Sequence, residues 1–170
     1  MNSELSSLAI SSVVIGIGAT IVMDIWALLL QRVFTVKPLN YGLVGRWLIY
    51  ILKGSFRHEN IGAVKPVKAE LMVGWTAHYL IGVVFATAMI ISSGSGWLIE
   101  PSIIPAISFG LLTVVFPFFI MQPGMGLGIA ASKTPQPNLA RFRSLLTHLI
   151  FGFGLYFFAK LMSLFLTHYA

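Results

Sequence analysis

Four long stretches of this chain carry no charged side chain, and they leave little freedom in what it can fold into. Residues 5–23, 71–99, 101–132 and 144–159 contain no Asp, Glu, Lys or Arg; the first resumes after Asp24 and the last after Lys160. With these continuations each can cross a ~30 Å hydrocarbon core at ~1.5 Å per residue. The runs are uniformly apolar and do not alternate, which fits helices and not barrel strands. The pattern predicts an all-α polytopic membrane protein, a four-transmembrane-helix bundle with spans at about 7–31, 71–92, 103–122 and 144–166. The whole of 1–170 reads as one integral membrane domain. Only 9% of the residues are charged, against about 25% in soluble domains. The 57% apolar content likewise excludes intrinsic disorder.

The net charge of +6 is a matter of placement. Arg32, Lys37, Arg46, Lys53, Arg57, Lys65 and Lys68 lie between the first two spans, and Lys133, Arg141 and Arg143 between the last two; only Lys160 lies elsewhere. By the positive-inside rule both basic connections are cytoplasmic and both termini periplasmic, in a bacterial inner membrane. The charge is therefore a topology signal, and no nucleic-acid partner is expected. The first apolar run has no basic residue before it and no small-residue cleavage site after it, so it reads as a retained span. With no cysteine and Asn2 where a glycine would be needed, no lipid anchor is expected.

The long connection contains a further element. Leu43, Trp47 and Ile51, and Val44, Leu48 and Leu52, repeat at helical spacing, with Gly42, Arg46 and Lys53 on the other face. This predicts a basic amphipathic helix at about 40–53 on the cytoplasmic membrane surface, with Trp47 and Tyr50 at headgroup level. Gly54, Gly62 and Pro66 make 54–70 read as a solvated linker. In the third span Pro117 predicts a kink and Pro123 a break. Residues 124–132 then read as a short separate segment, with Gly124, Gly128 and Ser132 forming a small-residue ridge. A weak internal echo joins His78 and Gly82 in the second span with His148 and Gly152 in the fourth.

Ionisable groups inside spans are costly and are functional candidates. Asp24, His78 and His148, with the polar Gln122, all fall near the cytoplasmic ends of their spans. A bundle could bring them together as a proton-relay or ion-binding site, or as a hydrogen-bond cluster that fixes packing. Asp24 has no basic residue three or four positions away and must find a partner on another helix or stay protonated. Asp24, His78 and His148, with His58, Glu59 and Glu70 nearby in sequence, leave a metal open but undetermined. Arg46, Arg57, His58 and Glu59 form a charged patch suited to lipid headgroups or phosphate, or simply a charged surface. Gly126, Gly128 and Ala131 match a dinucleotide-binding pattern, but no strand precedes them and no acidic residue follows Glu100. No cofactor is expected.

Asp24-Ile25-Trp26, the 41–47 segment Tyr-Gly-Leu-Val-Gly-Arg-Trp, Phe56-Arg57-His58-Glu59, Gly74-Trp75 with His78-Tyr79, and Met121-Gln122-Pro123-Gly124-Met125-Gly126 through Pro135 make up most of the chain's distinctive residues. In these the chain resembles a bacterial family of small integral membrane proteins of unknown function. The resemblance implies a four-helix inner-membrane protein and brings no activity or catalytic residue with it. Of the functions open to such a chain, the polar residues fit a small transporter or channel-like protein handling a proton, ion or small solute. The alternatives are a non-catalytic scaffold and a membrane-embedded enzyme acting on a lipid-phase substrate, an enzyme being the less favoured. The bilayer is the expected partner, and self-association is expected because four spans enclose little interior.

Overall fold

The computed structural model describes residues 2–94 and 96–169, with side chains for 6–94 and 96–165. Among the described residues every regular element is helical: α1 (Asn2–Phe34), α2 (Tyr41–Leu52), α3 (Glu70–Ser93), α4 (Gly96–Ile99), α5 (Ile103–Leu112), α6 (Gln122–Met125) and α7 (Pro137–Tyr169). Short 3₁₀ turns lie at Ile61–Ala63 and Ile129–Ala131, and a π turn at Pro117–Met121. Four stretches are long and apolar enough to cross a membrane: Ser6–Phe34, Glu70–Ser93, Ile103–Met125 and Pro137–Phe165. They correspond to the four expected spans. α1 and α7 run on past their uncharged cores because charge does not end a backbone ladder. α1 stops where Thr35 turns left-handed (φ 53°), and α7 starts on Pro137, whose fixed φ suits a first helical turn.

Consecutive spans are antiparallel. α1 lies along both α3 and α7, and α5 lies along α7, while α3 and α5 meet only sparsely. The helices thus form an arc in the order α3–α1–α7–α5. Small residues set the approach: Gly16 faces the backbone of Gly82 and Val83, Gly154 faces Ala19, and Gly110 faces Gly152. Ile15, Met89, Ile90, Phe151 and Leu155 fill the core between them. The outer faces expose large apolar side chains, among them Ile10, Ile25, Leu80, Val84, Leu112 and Phe119. An apolar belt of this extent suits lipid and not water.

The third span is irregular where its prolines require it. Pro117 has no N–H to give, and the carbonyl of Thr113 instead accepts from Phe116 at 3.1 Å. The backbone widens into the π turn, in which the N–H of Gln122 reaches the carbonyl of Pro117. α6 adds one turn and ends at Gly126 in the left-handed region (φ 92°). Residues 124–132 are therefore not a half-helix, and Gly124, Gly128 and Ser132 do not form a ridge. Gly124 packs under Trp47, and Gly128 (φ 75°) belongs to a loop.

The amphipathic helix is present as α2, begun by Asn40, whose side chain accepts from the N–H of Gly42 at 3.0 Å. Its faces differ from expectation. Gly42 and Arg46, placed by sequence on the solvated side, are buried, while Leu52 is 88% exposed. The cause is a crossing of two glycines. A Cβ on Gly45 would strike the carbonyl of Glu70, and one on Gly74 the carbonyl of Tyr41. α2 therefore lies backbone-to-backbone on the start of α3, with Arg46 beneath it. Val44 and Trp47 face away from this contact into a second small core with Ile61 and Met125. Trp47 is accordingly inside the protein, donating to the carbonyl of Phe56 at 2.8 Å, and the 54–64 segment is tied down over it.

Gly45→Ala and Gly74→Ala should each lower the thermal midpoint in detergent by several degrees, as overpacking costs about 1–3 kcal/mol. Gly96→Ala, which meets nothing within 4 Å, should leave it unchanged.

Candidate functional site

Asp24 finds its partners on the neighbouring α3, and through one of them reaches α2. Its Oδ1 is 3.0 Å from Nε2 of His78, and its Oδ2 accepts from the Tyr79 hydroxyl at 2.9 Å. Residues 78 and 79 are both on α3, opposite the last third of α1. The same Nε2 of His78 lies 2.9 Å from the hydroxyl of Tyr41, the first residue of α2. Tyr41 reaches that point because the Gly45–Gly74 crossing seats α2 on α3. Its ring packs, tilted, against both Trp75 at 4.1 Å and His78 at 4.5 Å between centroids. Burial first, and then the charge of Asp24, push the Tyr41 phenol above its ordinary range, so it stays protonated.

The atoms at the centre allow two arrangements of one proton. With the proton on Nε2, His78 donates to ionised Asp24. With it on Oδ1, the single lone pair of Nε2 can accept from Asp24 or from the Tyr41 hydroxyl. No heavy atom has to move between the two. The side chains of His78 and Asp24 are 11% and 20% exposed, so the site is half-buried at the α2 end of the bundle.

The other two residues expected here are elsewhere. Nδ1 of His148 lies 2.7 Å from Oγ1 of Thr113, which is also 2.6 Å from the carbonyl of Gly110. That is a separate pair, between α7 and the end of α5. Gln122 is buried on α6 with its Oε1 unpaired. Sequence reasoning missed Tyr41, Tyr79 and Thr113. Only Tyr79 carried a usable signal, being next to His78; Tyr41 is brought in by a glycine contact that no local pattern announces. Among the described residues, no group of three or more His, Asp or Glu side chains is placed to hold a metal ion.

A family model described as a protein of unknown function (DUF2938) matches residues 13–162. The chain belongs to this family. No curated protein and no solved structure matches it. Membership covers nearly the whole chain, in keeping with the four apolar helices of a small membrane protein, and the match includes every residue of the Asp24 site.

The charged patch expected of Arg46, Arg57, His58 and Glu59 divides in two. Arg46 is committed inside the protein. Its Nε and Nη2 grip both oxygens of Glu70 at 2.8 Å, and its Nη1 reaches the carbonyls of Val64 at 2.8 Å and Ile61 at 3.3 Å. The Glu70 carboxylate pushes its pKa up further. Four of its five N–H groups are thereby used within the protein, and its charge is paired with Glu70 and not offered to a headgroup. Glu70 also accepts from the N–H of Val67 at 2.9 Å, so the pair closes the linker onto the first turn of α3. Arg57, His58 and Glu59 instead line a separate cleft against the loop after α6.

Arg46→Lys cannot reproduce the two-pronged grip. It should lower the thermal midpoint measurably, and Arg46→Ala more so, while Arg57→Ala on the exposed surface should change it little.

Proposed function

We propose that this chain is a multi-pass protein of the bacterial inner membrane that carries a proton through Asp24, His78 and Tyr41, and couples it to movement of a small solute or ion. The observation that carries this reading is the position of His78 Nε2, 3.0 Å from a carboxylate of α1 and 2.9 Å from a hydroxyl of α2. Three proton-bearing groups from three helices thus meet at one nitrogen, within a span where an ionisable group is costly to keep. The basic connections gather at the α2 end, which supports a cytoplasmic position for the site and periplasmic termini. The arc α3–α1–α7–α5 encloses little interior, and a conduit would take a second copy of the chain as its other wall.

Proteoliposome flux tests this reading. Protein-dependent proton movement is expected, reduced at least about tenfold by Asp24→Asn and by His78→Ala, since each removes one end of the relay. Tyr41→Phe should reduce it less. Absence of any protein-dependent flux, or full flux in Asp24→Asn, would sink it. A structural scaffold is the second reading, favoured by the closure of the network, in which both oxygens of Asp24 are paired within the protein. That reading expects the same variants to lower thermal stability while no flux is seen with any of them.

A further inference from the structure

A cleft of about 520 Å³ lies between the 54–60 segment and the loop that follows α6, and the proton reading makes no use of it. One wall carries Arg57, His58 and Glu59; Ser132 and Lys133 face them, with Gly126 between. Its walls are held in place from several sides. The N–H of His58 donates to the carbonyl of Gly124 at 2.9 Å. A Cβ on Gly126 would strike the carbonyl of Glu59, so only glycine lets the two walls meet. The loop takes left-handed backbone at Gly126, Gly128, Ala130 and Ala131 (φ 92°, 75°, 48° and 58°), which is costly for the two alanines. Arg141 fastens it through the carbonyl of Ala130 at 2.8 Å, and Lys133 through its own N–H to the carbonyl of Leu127 at 2.9 Å.

Within this fixed frame the charges are unspent. Among the described residues, no ion pair involves Arg57, Lys133 or Glu59. Nδ1 of His58 is buried without a hydrogen-bond partner. Two free cations, one of them a guanidinium fork, match a phosphate. A bare phosphate would also face the carboxylate of Glu59, whereas a phosphate with an ammonium close by would satisfy all three charges. The cleft adjoins the end of the stretch Ile103–Met125, which is long and apolar enough to cross a membrane, and the end of such a span meets the headgroup region.

We propose that this cleft binds a phosphoethanolamine group, with its phosphate on Arg57 and Lys133 and its ammonium on Glu59. The group can arrive as the headgroup of phosphatidylethanolamine or as free phosphoethanolamine, and the two present the same chemistry.

The test uses the purified full-length chain in detergent. Calorimetric titration with phosphoethanolamine, ethanolamine and inorganic phosphate is run beside native mass spectrometry with phosphatidylethanolamine, phosphatidylglycerol and phosphatidylcholine. Binding of phosphoethanolamine in preference to inorganic phosphate, or retention of phosphatidylethanolamine above the other two lipids, is the expected result, and the arm that responds identifies the source. Arg57→Gln and Lys133→Gln should each weaken that binding about tenfold, the worth of one charge-assisted hydrogen bond. Arg57→Lys should retain most of it. Glu59→Gln should weaken phosphoethanolamine and spare inorganic phosphate. All three side chains project from exposed positions, and an unchanged thermal midpoint without ligand confirms folding of each of the four variants. No binding in either arm, or binding indifferent to Arg57→Gln and Lys133→Gln, overturns the proposal. Equal loss of phosphate and phosphoethanolamine on Glu59→Gln overturns the role of the ammonium.

Discussion

The contact between the backbones of α2 and α3 determines most of what happens at that end of the molecule. Gly45 and Gly74 oppose each other so closely that neither could carry a methyl group. One residue along from Gly45, Arg46 is driven under α2, where it must be paired, and Glu70 meets it at the first turn of α3. Four residues back, Tyr41 is laid over His78. Two residues on, Trp47 turns to the opposite side, where Gly124 gives it room and the carbonyl of Phe56 takes its N–H. The Tyr41 side of the Asp24 site, the closure of the linker by Arg46 and the seat of Trp47 on Gly124 all rest on this one approach of two helices.

The scarcity of charge makes each buried polar group answer for its position. Burying a lone charge is far costlier than burying a paired one, and the chain has five acidic residues in all. Two of them, Asp24 and Glu70, hold cross-helix partners with both oxygens. For these carboxylates and for His148 the side-chain partner comes from a different element: α1 to α3, α3 to α2, and α7 to the end of α5. Polar pairs therefore act here as fasteners between helices as much as candidates for chemistry. Asp24 differs from the rest in being bonded to a histidine that a tyrosine hydroxyl from a third helix also reaches.

The architecture was legible because it follows from long-range composition: four uncharged runs, their lengths and the side on which the basic residues fall. The site was legible only in half. Asp24 and His78 stood out as ionisable groups in apolar surroundings, and their pairing followed once α1 and α3 ran antiparallel at the expected depth. Gln122 and His148 stood out for the same reason and at the same depth, but depth says nothing of which side of a helix a residue faces. The faces of α2 were misread for a related reason. Periodicity ranks side chains by polarity, and Gly45, with no side chain to rank, turned out to decide which face is inside. Arg46 then looked like a surface charge because its partner lies 24 positions away.

The echo between the second and fourth spans acquires meaning once the helices are packed. His78 reaches back to Asp24 on the preceding span, and one turn on, Gly82 meets the carbonyl of Gly16 of that same span. His148 reaches back to Thr113, and Gly152 meets the carbonyl of Ala106. Each hairpin thus uses a glycine to bring its helices close and a histidine one turn away to tie them. What separates the two is the group the histidine finds. Thr113 offers a neutral hydroxyl already 2.6 Å from a backbone carbonyl, whereas Asp24 offers a carboxylate, and α2 brings Tyr41 to only the first of the two histidines. A purely mechanical tie needs no carboxylate, as the second hairpin demonstrates. The extra titratable groups at the first are what packing alone leaves unexplained, and they are the reason to look for protons there.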